Sequence, residues 1–140
     1  MAVTTSDAVL HLSIPVDDLD AARRFYVDAF RCSVGRVRED WVDVWFYGMQ
    51  LTLQHRPGEV RAPGEQGVRH FGVVLTDRES YSKLVDRLRA AGVSWLSEPA
   101  DHAEVTLSGK VGGKLADPSG NVIEVKYYAD ADAYRAGASE

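Results

Sequence analysis

The chain repeats itself, and that duplication limits its fold more than any other feature of the sequence. Residues 9–16 alternate, with Leu10, Leu12, Ile14 and Val16 on one face and His11, Ser13 and Pro15 on the other. This is the period of a half-buried strand. Asp17 and Asp18 follow and can cap a helix, because a carboxylate accepts from the unpaired amides of the first turn. Leu19, Ala22, Phe25, Tyr26, Ala29 and Phe30 then fall on one stripe at helical spacing. Three short strands are expected next, near 33–38, 41–47 and 49–55. The second of them is aromatic and β-branched, and Gly48 lets the chain turn into the third.

The second half keeps the order. Residues 69–76 set Phe71, Val73 and Leu75 against His70, Gly72 and Val74. Asp77 can cap a helix carrying Tyr81, Leu84, Val85, Leu88 and Ala91 on one side, and Gly92 ends it. Residues 93–98 read as a strand, with further strands expected near Val105 and Lys114. Asp117-Pro118-Ser119-Gly120-Asn121 is a turn by composition, and 121–128 is the final strand. The pattern predicts one α+β domain over residues 1–140, built from two βαβββ modules at 9–56 and 68–128. A Pro- and Gly-rich linker at 57–67 joins them. The paired, curled sheets are expected to surround a central cleft.

Aligning the halves puts His70 on His11, and it puts Glu124 on Gln50 because Met49-Gln50-Leu51 resembles Ile123-Glu124-Val125. The extra length of the second half is assigned to the loop 99–113. A pseudo-twofold axis would then gather two imidazoles, a carboxylate and an amide at one point. Two neutral imidazoles and one carboxylate, with no thiolate, suit Fe(II), and Mn(II), Co(II), Ni(II) and Zn(II) also accept them. Three protein ligands, His11, His70 and Glu124, leave positions open for substrate or water. Gln50 could be a fourth ligand through its carbonyl oxygen, or a hydrogen-bonding neighbour. Taken singly, each histidine reads as readily as a surface histidine, and Glu124 as a solvated strand carboxylate. Only their symmetry-related positions favour the metal.

Composition excludes other classes. A net charge of −5, with no run of Lys or Arg, argues against nucleic acid. Cys32 is the single cysteine, so an internal disulfide and a thiolate-rich zinc site are both ruled out. No stretch approaches the roughly 20 apolar residues that span a bilayer. A cytoplasmic protein acting on a small molecule is the expectation.

The matching pieces are His11-Leu12-Ser13 leading to Asp18-Leu19 and Phe25-Tyr26, then His70-Phe71-Gly72-Val73, and finally Asp117-Pro118-Ser119-Gly120-Asn121 with Val122-Ile123-Glu124. On these residues the chain resembles the vicinal oxygen chelate superfamily, which includes glyoxalase I, extradiol dioxygenases, fosfomycin-modifying transferases and bleomycin-binding proteins. The resemblance implies that His11, His70 and Glu124 are metal ligands and that the chain forms a homodimer. It implies a metal-dependent dioxygenase or a glyoxalase-like lyase or isomerase, binding its substrate through vicinal oxygens. The alternative is a metal-free binder that sequesters a drug or metabolite, as bleomycin-resistance proteins do. Gln50 stands where the glyoxalase I pattern has a carboxylate. The basic residues of the fosfomycin-transferase pattern are missing at Trp95-Leu96-Ser97 and at 129–133, so that activity is not expected. Extradiol enzymes add a histidine and a tyrosine near the substrate, for which His55 or His102 and Tyr128 or Tyr47 are candidates. Trp41 and Trp45 could wall an aromatic pocket, and Lys110 or Lys114 could hold an anionic group. The plainer assignments are core or dimer contact for the aromatics and solvated charge for the lysines.

Overall fold

The computed structural model describes residues 7–99, 110–129, 132 and 135–137. The fold is α+β, with two four-stranded mixed sheets, each carrying one helix. In the first, β1 (His11–Val16), α1 (Leu19–Phe30), β2 (Ser33–Val37), β3 (Trp41–Phe46) and β4 (Met49–His55) give the strand order β1-β4-β3-β2. In the second, β5 (Phe71–Leu75), α2 (Arg78–Ala90), β6 (Ser94–Ser97), β7 (Lys110–Ala116) and β8 (Val122–Tyr128) give β5-β8-β7-β6. The first strand of each sheet runs parallel to the last, and the other pairings are antiparallel. The expected duplication is therefore present strand for strand. The strand expected near Val105 falls outside the described residues.

By contacts the chain divides into two compact units, Met1–Ala62 with Pro118–Asn121, and Pro63–Asp117 with Val122–Glu140. The first unit thus includes the 118–121 turn. Ser119 Oγ donates to Asp17 Oδ1 at 2.9 Å, and Asn121 Nδ2 donates to the Pro15 carbonyl at 2.9 Å. Short 3₁₀ turns at Pro57–Glu59 and Pro63–Glu65 lie in the expected linker.

Local chemistry explains the repeat. Asp18 caps α1 by accepting from the Ala21 amide at 2.9 Å, and Asp77 caps α2 by accepting from Ser80 at 2.9 Å. In the β3–β4 hairpin, Tyr47 (φ 48°) and Gly48 (φ 82°) both take positive φ, the requirement of a two-residue turn whose twist matches its strands. Each second strand also bulges against its third, between Val34 and Val37 and between Trp95 and Ser97.

Each helix covers one face of its sheet. Ala22, Tyr26, Ala29 and Phe30 of α1 are buried together with Ile14, Val16, Val42, Val44, Phe46, Leu51 and Leu53, and the Phe30 and Phe46 rings lie 5.1 Å apart. In the second unit Tyr81 stacks on Tyr127 at 5.7 Å and packs with Val85 and Val111. Removing such side chains from water supplies most of the stabilisation, at about 2–3 kcal/mol for each large residue. Two expected core positions are not core: Leu10 is 75% exposed just before β1 begins, and Ala91, the C-cap of α2, is exposed too. Among the described residues no helix is long and apolar enough to cross a membrane.

Candidate functional site

The faces turned away from the helices carry the polar side chains. In the first unit, His11 and Ser13 on β1, Trp41 and Asp43 on β3, and Thr52 and Gln54 on β4 line a cavity of about 200 Å³ that Arg36 of β2 completes. Asp43 is only 1% exposed. It accepts from Thr52 Oγ1 at 2.7 Å, from Arg36 Nε at 2.9 Å and from Gln50 Nε2 at 3.3 Å. Burial alone would raise its pKa; the Thr52 hydroxyl, the Arg36 guanidinium and the Gln50 amide outweigh it and hold the carboxyl below its ordinary value.

Both histidines are fixed in the same way. His11 Nδ1 donates to the Gln50 carbonyl at 3.2 Å, and His70 Nδ1 donates to the Val68 carbonyl at 2.8 Å. A carbonyl can only accept, so each Nδ1 carries a proton, and Nε2 is the nitrogen a metal would use. For His11, Nε2 has among the described residues only a long 3.5 Å contact with Ser13 Oγ. For His70 it stands 3.3 Å from Glu124 Oε1. A histidine whose other nitrogen is tied to a carbonyl is oriented as metal-binding histidines are. An ion bonded at about 2.1 Å to a nitrogen and an oxygen separates them by roughly 3.0–3.4 Å, so the His70–Glu124 spacing suits a shared divalent cation. The same carboxylate oxygen also meets Lys126 Nζ at 3.1 Å. Among the described residues no group of three or more His, Cys, Asp and Glu is gathered to hold a metal.

Register corrects the internal alignment. His11 is the direct partner of Gln50, whereas Glu124 is the partner of Gly72. The helix caps fix the first-strand offset at 59 positions, Asp18 to Asp77, so Gly72 corresponds to Ser13, whose partner is Thr52. Thr52, not Gln50, is therefore the counterpart of Glu124. Across the ladder Thr52 faces Asp43 and Glu124 faces Lys114. At matching positions the first unit thus carries a neutral and an acidic residue, and the second an acidic and a basic one.

The remaining candidates separate. Gln50 lies beside His11, with its amide nitrogen committed to Asp43. Lys114 sits beside Glu124 in the ladder, and Tyr128 follows Lys126 on the same face of β8. Trp45 is on the His11 face of β3, directly opposite Gln50, but it is Trp41 that lines the cavity. His55 closes β4 on the opposite face and lines a different depression with Asp17, Asp18, Asp20 and Glu39. Phe46 is core, and Tyr47 is an exposed turn residue. His102 falls outside the described residues, as does the Lys110 side chain. Sequence reasoning missed Asp43 and Arg36. Their available signal was a lone acid inside the apolar run Trp41-Val42-Asp43-Val44-Trp45-Phe46.

The family model described as Glyoxalase/Bleomycin resistance protein/Dioxygenase superfamily matches residues 8–125. A search of curated proteins finds no match. Among solved structures, a glyoxalase/bleomycin resistance protein/dioxygenase from Alicyclobacillus acidocaldarius is 29% identical, with a TM-score of 0.79 over 91% of this chain and 96% of that one. A lactoylglutathione lyase from Agrobacterium tumefaciens is 21% identical, with a TM-score of 0.64 over 89% and 96%. A fosfomycin resistance protein from Listeria monocytogenes is 12% identical, with a TM-score of 0.69 over 86% and 92%. The last two show likeness of fold alone. With the repeat, the sheet orders and a family match over most of its length, the chain belongs to the glyoxalase/bleomycin resistance protein/dioxygenase superfamily.

Proposed function

We propose that the protein is a metal-dependent enzyme of the vicinal oxygen chelate type, with His70, Glu124 and His11 as ligands of a divalent ion. The observation that carries this is that each imidazole is tied to a carbonyl through Nδ1, together with the 3.3 Å approach of His70 Nε2 to Glu124 Oε1. Bound there, Fe(II), Mn(II), Co(II), Ni(II) or Zn(II) would act as a Lewis acid toward two adjacent substrate oxygens, and Fe(II) could also activate O₂. The chain's own contribution is orientation. The Gln50 and Val68 carbonyls hold each imidazole by its Nδ1–H, and the polar face around His11 offers space for a small substrate. Oxygen-dependent cleavage and glyoxalase-like isomerisation or lysis are the two reactions this set supports, with a slight preference for the first because neither Gln50 nor Thr52, the register counterpart of Glu124, carries a charge. A homodimer belongs to the same proposal.

A second reading draws on Lys126. Its ammonium, 3.1 Å from Glu124 Oε1, supplies positive charge where a cation would sit, as suits a metal-free protein that only sequesters its ligand. Metal analysis of protein purified without chelator separates the two. Close to one equivalent of metal per chain, lost in His70→Ala and in Glu124→Gln, supports the enzyme. Metal-free protein that binds a flat aromatic ligand tightly overturns it in favour of sequestration.

A further inference from the structure

The first unit's cavity contains an arginine whose placement the metal reading does not use. Between Val34 and Val37 the β2 strand carries one residue more than its partner, and this bulge holds Gly35 and Arg36. Bulges re-aim side chains. Here Gly35 passes so close to β3 that an added Cβ would lie 3.1 Å from Trp45 Nε1 and 3.3 Å from Asp43 Cβ. The Arg36 guanidinium reaches Asp43 through Nε and lies 5.0 Å from the centre of the Trp41 ring. We propose that Arg36, set in place by Asp43 and Trp41, is the anchor for the carboxylate of a small organic acid bound in this cavity.

Three observations converge on that ligand. First, Asp43 is already engaged at both oxygens, by Thr52 on Oδ1 and by Arg36 and Gln50 on Oδ2, and at 1% exposure it offers a ligand's donor almost no surface. Second, Arg36 is not saturated. Only Nε is used, and the Nη pair, on a side chain 61% exposed, has no acceptor among the described residues. Two parallel N–H groups on a planar fork match a carboxylate. Third, the charge does not balance. Arg38 lies 5.5 Å over the same Trp41 ring, and among the described residues its guanidinium donates only to the Val37 carbonyl, so Asp43 offsets one of the two guanidinium charges at that ring. The cavity of about 200 Å³ is smaller than pockets for drug-sized ligands, so it fits a single ring or a short chain.

The proposal rests on the reading of His11's surroundings as substrate space. It needs no metal, so it can be tested on chelator-treated full-length protein, where its failure is distinct from a failure of the metal reading. Calorimetric titration with benzoate, benzamide and inorganic phosphate is the measurement. Benzoate should bind at least about tenfold more tightly than benzamide. Arg36→Lys keeps the charge on Asp43 but loses the fork, and should weaken benzoate about tenfold. Because Arg36→Gln alone would strand a buried carboxylate, the paired change Arg36→Gln/Asp43→Asn is the second variant, and it should abolish the preference for benzoate over benzamide. Equal binding of benzoate and benzamide would overturn the proposal, as would benzoate binding unchanged in both variants. Phosphate that displaces benzoate at equal concentration would overturn the assignment to a planar carboxylate.

Discussion

His70 Nε2 stands 3.3 Å from Glu124 Oε1, within reach of one shared cation and on the oxygen that Lys126 Nζ also contacts at 3.1 Å. Lys126 and an incoming ion therefore compete for the same charge. Lys126→Met removes the competitor and should tighten divalent-metal binding by roughly fivefold, the equivalent of about 1 kcal/mol for a partly buried pair. Titration of chelator-treated protein with Mn(II) or Ni(II) measures it. Unchanged affinity would mean that the ion does not use this oxygen.

Much of this was legible in the sequence, and the misses have physical causes. Alternation on residues 9–16 and 69–76, and the capping aspartates Asp18 and Asp77, located the first strands and both helices, because those signals are local. His11, His70 and Glu124 were expected to share one metal, and of these His70 Nε2 lies 3.3 Å from Glu124 Oε1. The match of Gln50 to Glu124 failed because it compared residue types and ignored register. Counted from the turn glycines Gly48 and Gly120, Thr52 and Glu124 each lie four residues on, which is what the ladders pair. Asp43 and Arg36 escaped notice because their meeting depends on a bulge between strands, which no single-segment pattern reveals.

Gly72 pairs with Glu124, and a Cβ there would run into the Glu124 carbonyl. The strands must separate to admit it. Gly72→Ala should cost about 2 kcal/mol or more through backbone displacement and should weaken metal binding by moving Glu124. Urea unfolding and metal titration read the two effects separately. A stable variant with unchanged metal affinity would show that the close approach is unimportant.

Cys32 is buried, and burial pushes its thiol up to about 12, against the smaller opposing pull of its backbone hydrogen bond. The thiolate is the reactive form, so native protein at pH 8 should be inert to a disulfide reagent and should react once unfolded in urea. The sign for stability follows. Below the ordinary value of 9.0 the neutral thiol is present in both states and its contribution is complete; it is lost as pH rises toward about 12, because the unfolded chain ionises first. Cys32→Ala should flatten that alkaline fall. Rapid labelling of the native protein would contradict the burial.

Asp43 makes the opposite prediction at acid pH. Burial raises its pKa, but the Thr52 hydroxyl, the Arg36 guanidinium and the Gln50 amide together hold it below the ordinary carboxylate value. A depressed folded pKa contributes stability that is present above the unfolded value, about 3.9, and lost as pH falls through the folded one. Asp43→Asn keeps the shape but cannot ionise. It should cost about 1–3 kcal/mol at pH 7, where the charge-assisted bonds are lost, and it should lose less stability than the parent protein below about pH 4. Thr52→Val leaves the Arg36 pair in place and removes only the hydroxyl, so it should cost about 1 kcal/mol and shift the acid limb to higher pH. Urea midpoints collected from pH 7 down to pH 3 would show both effects. Parallel curves for the parent and Asp43→Asn would mean that Asp43 does not titrate as its surroundings require.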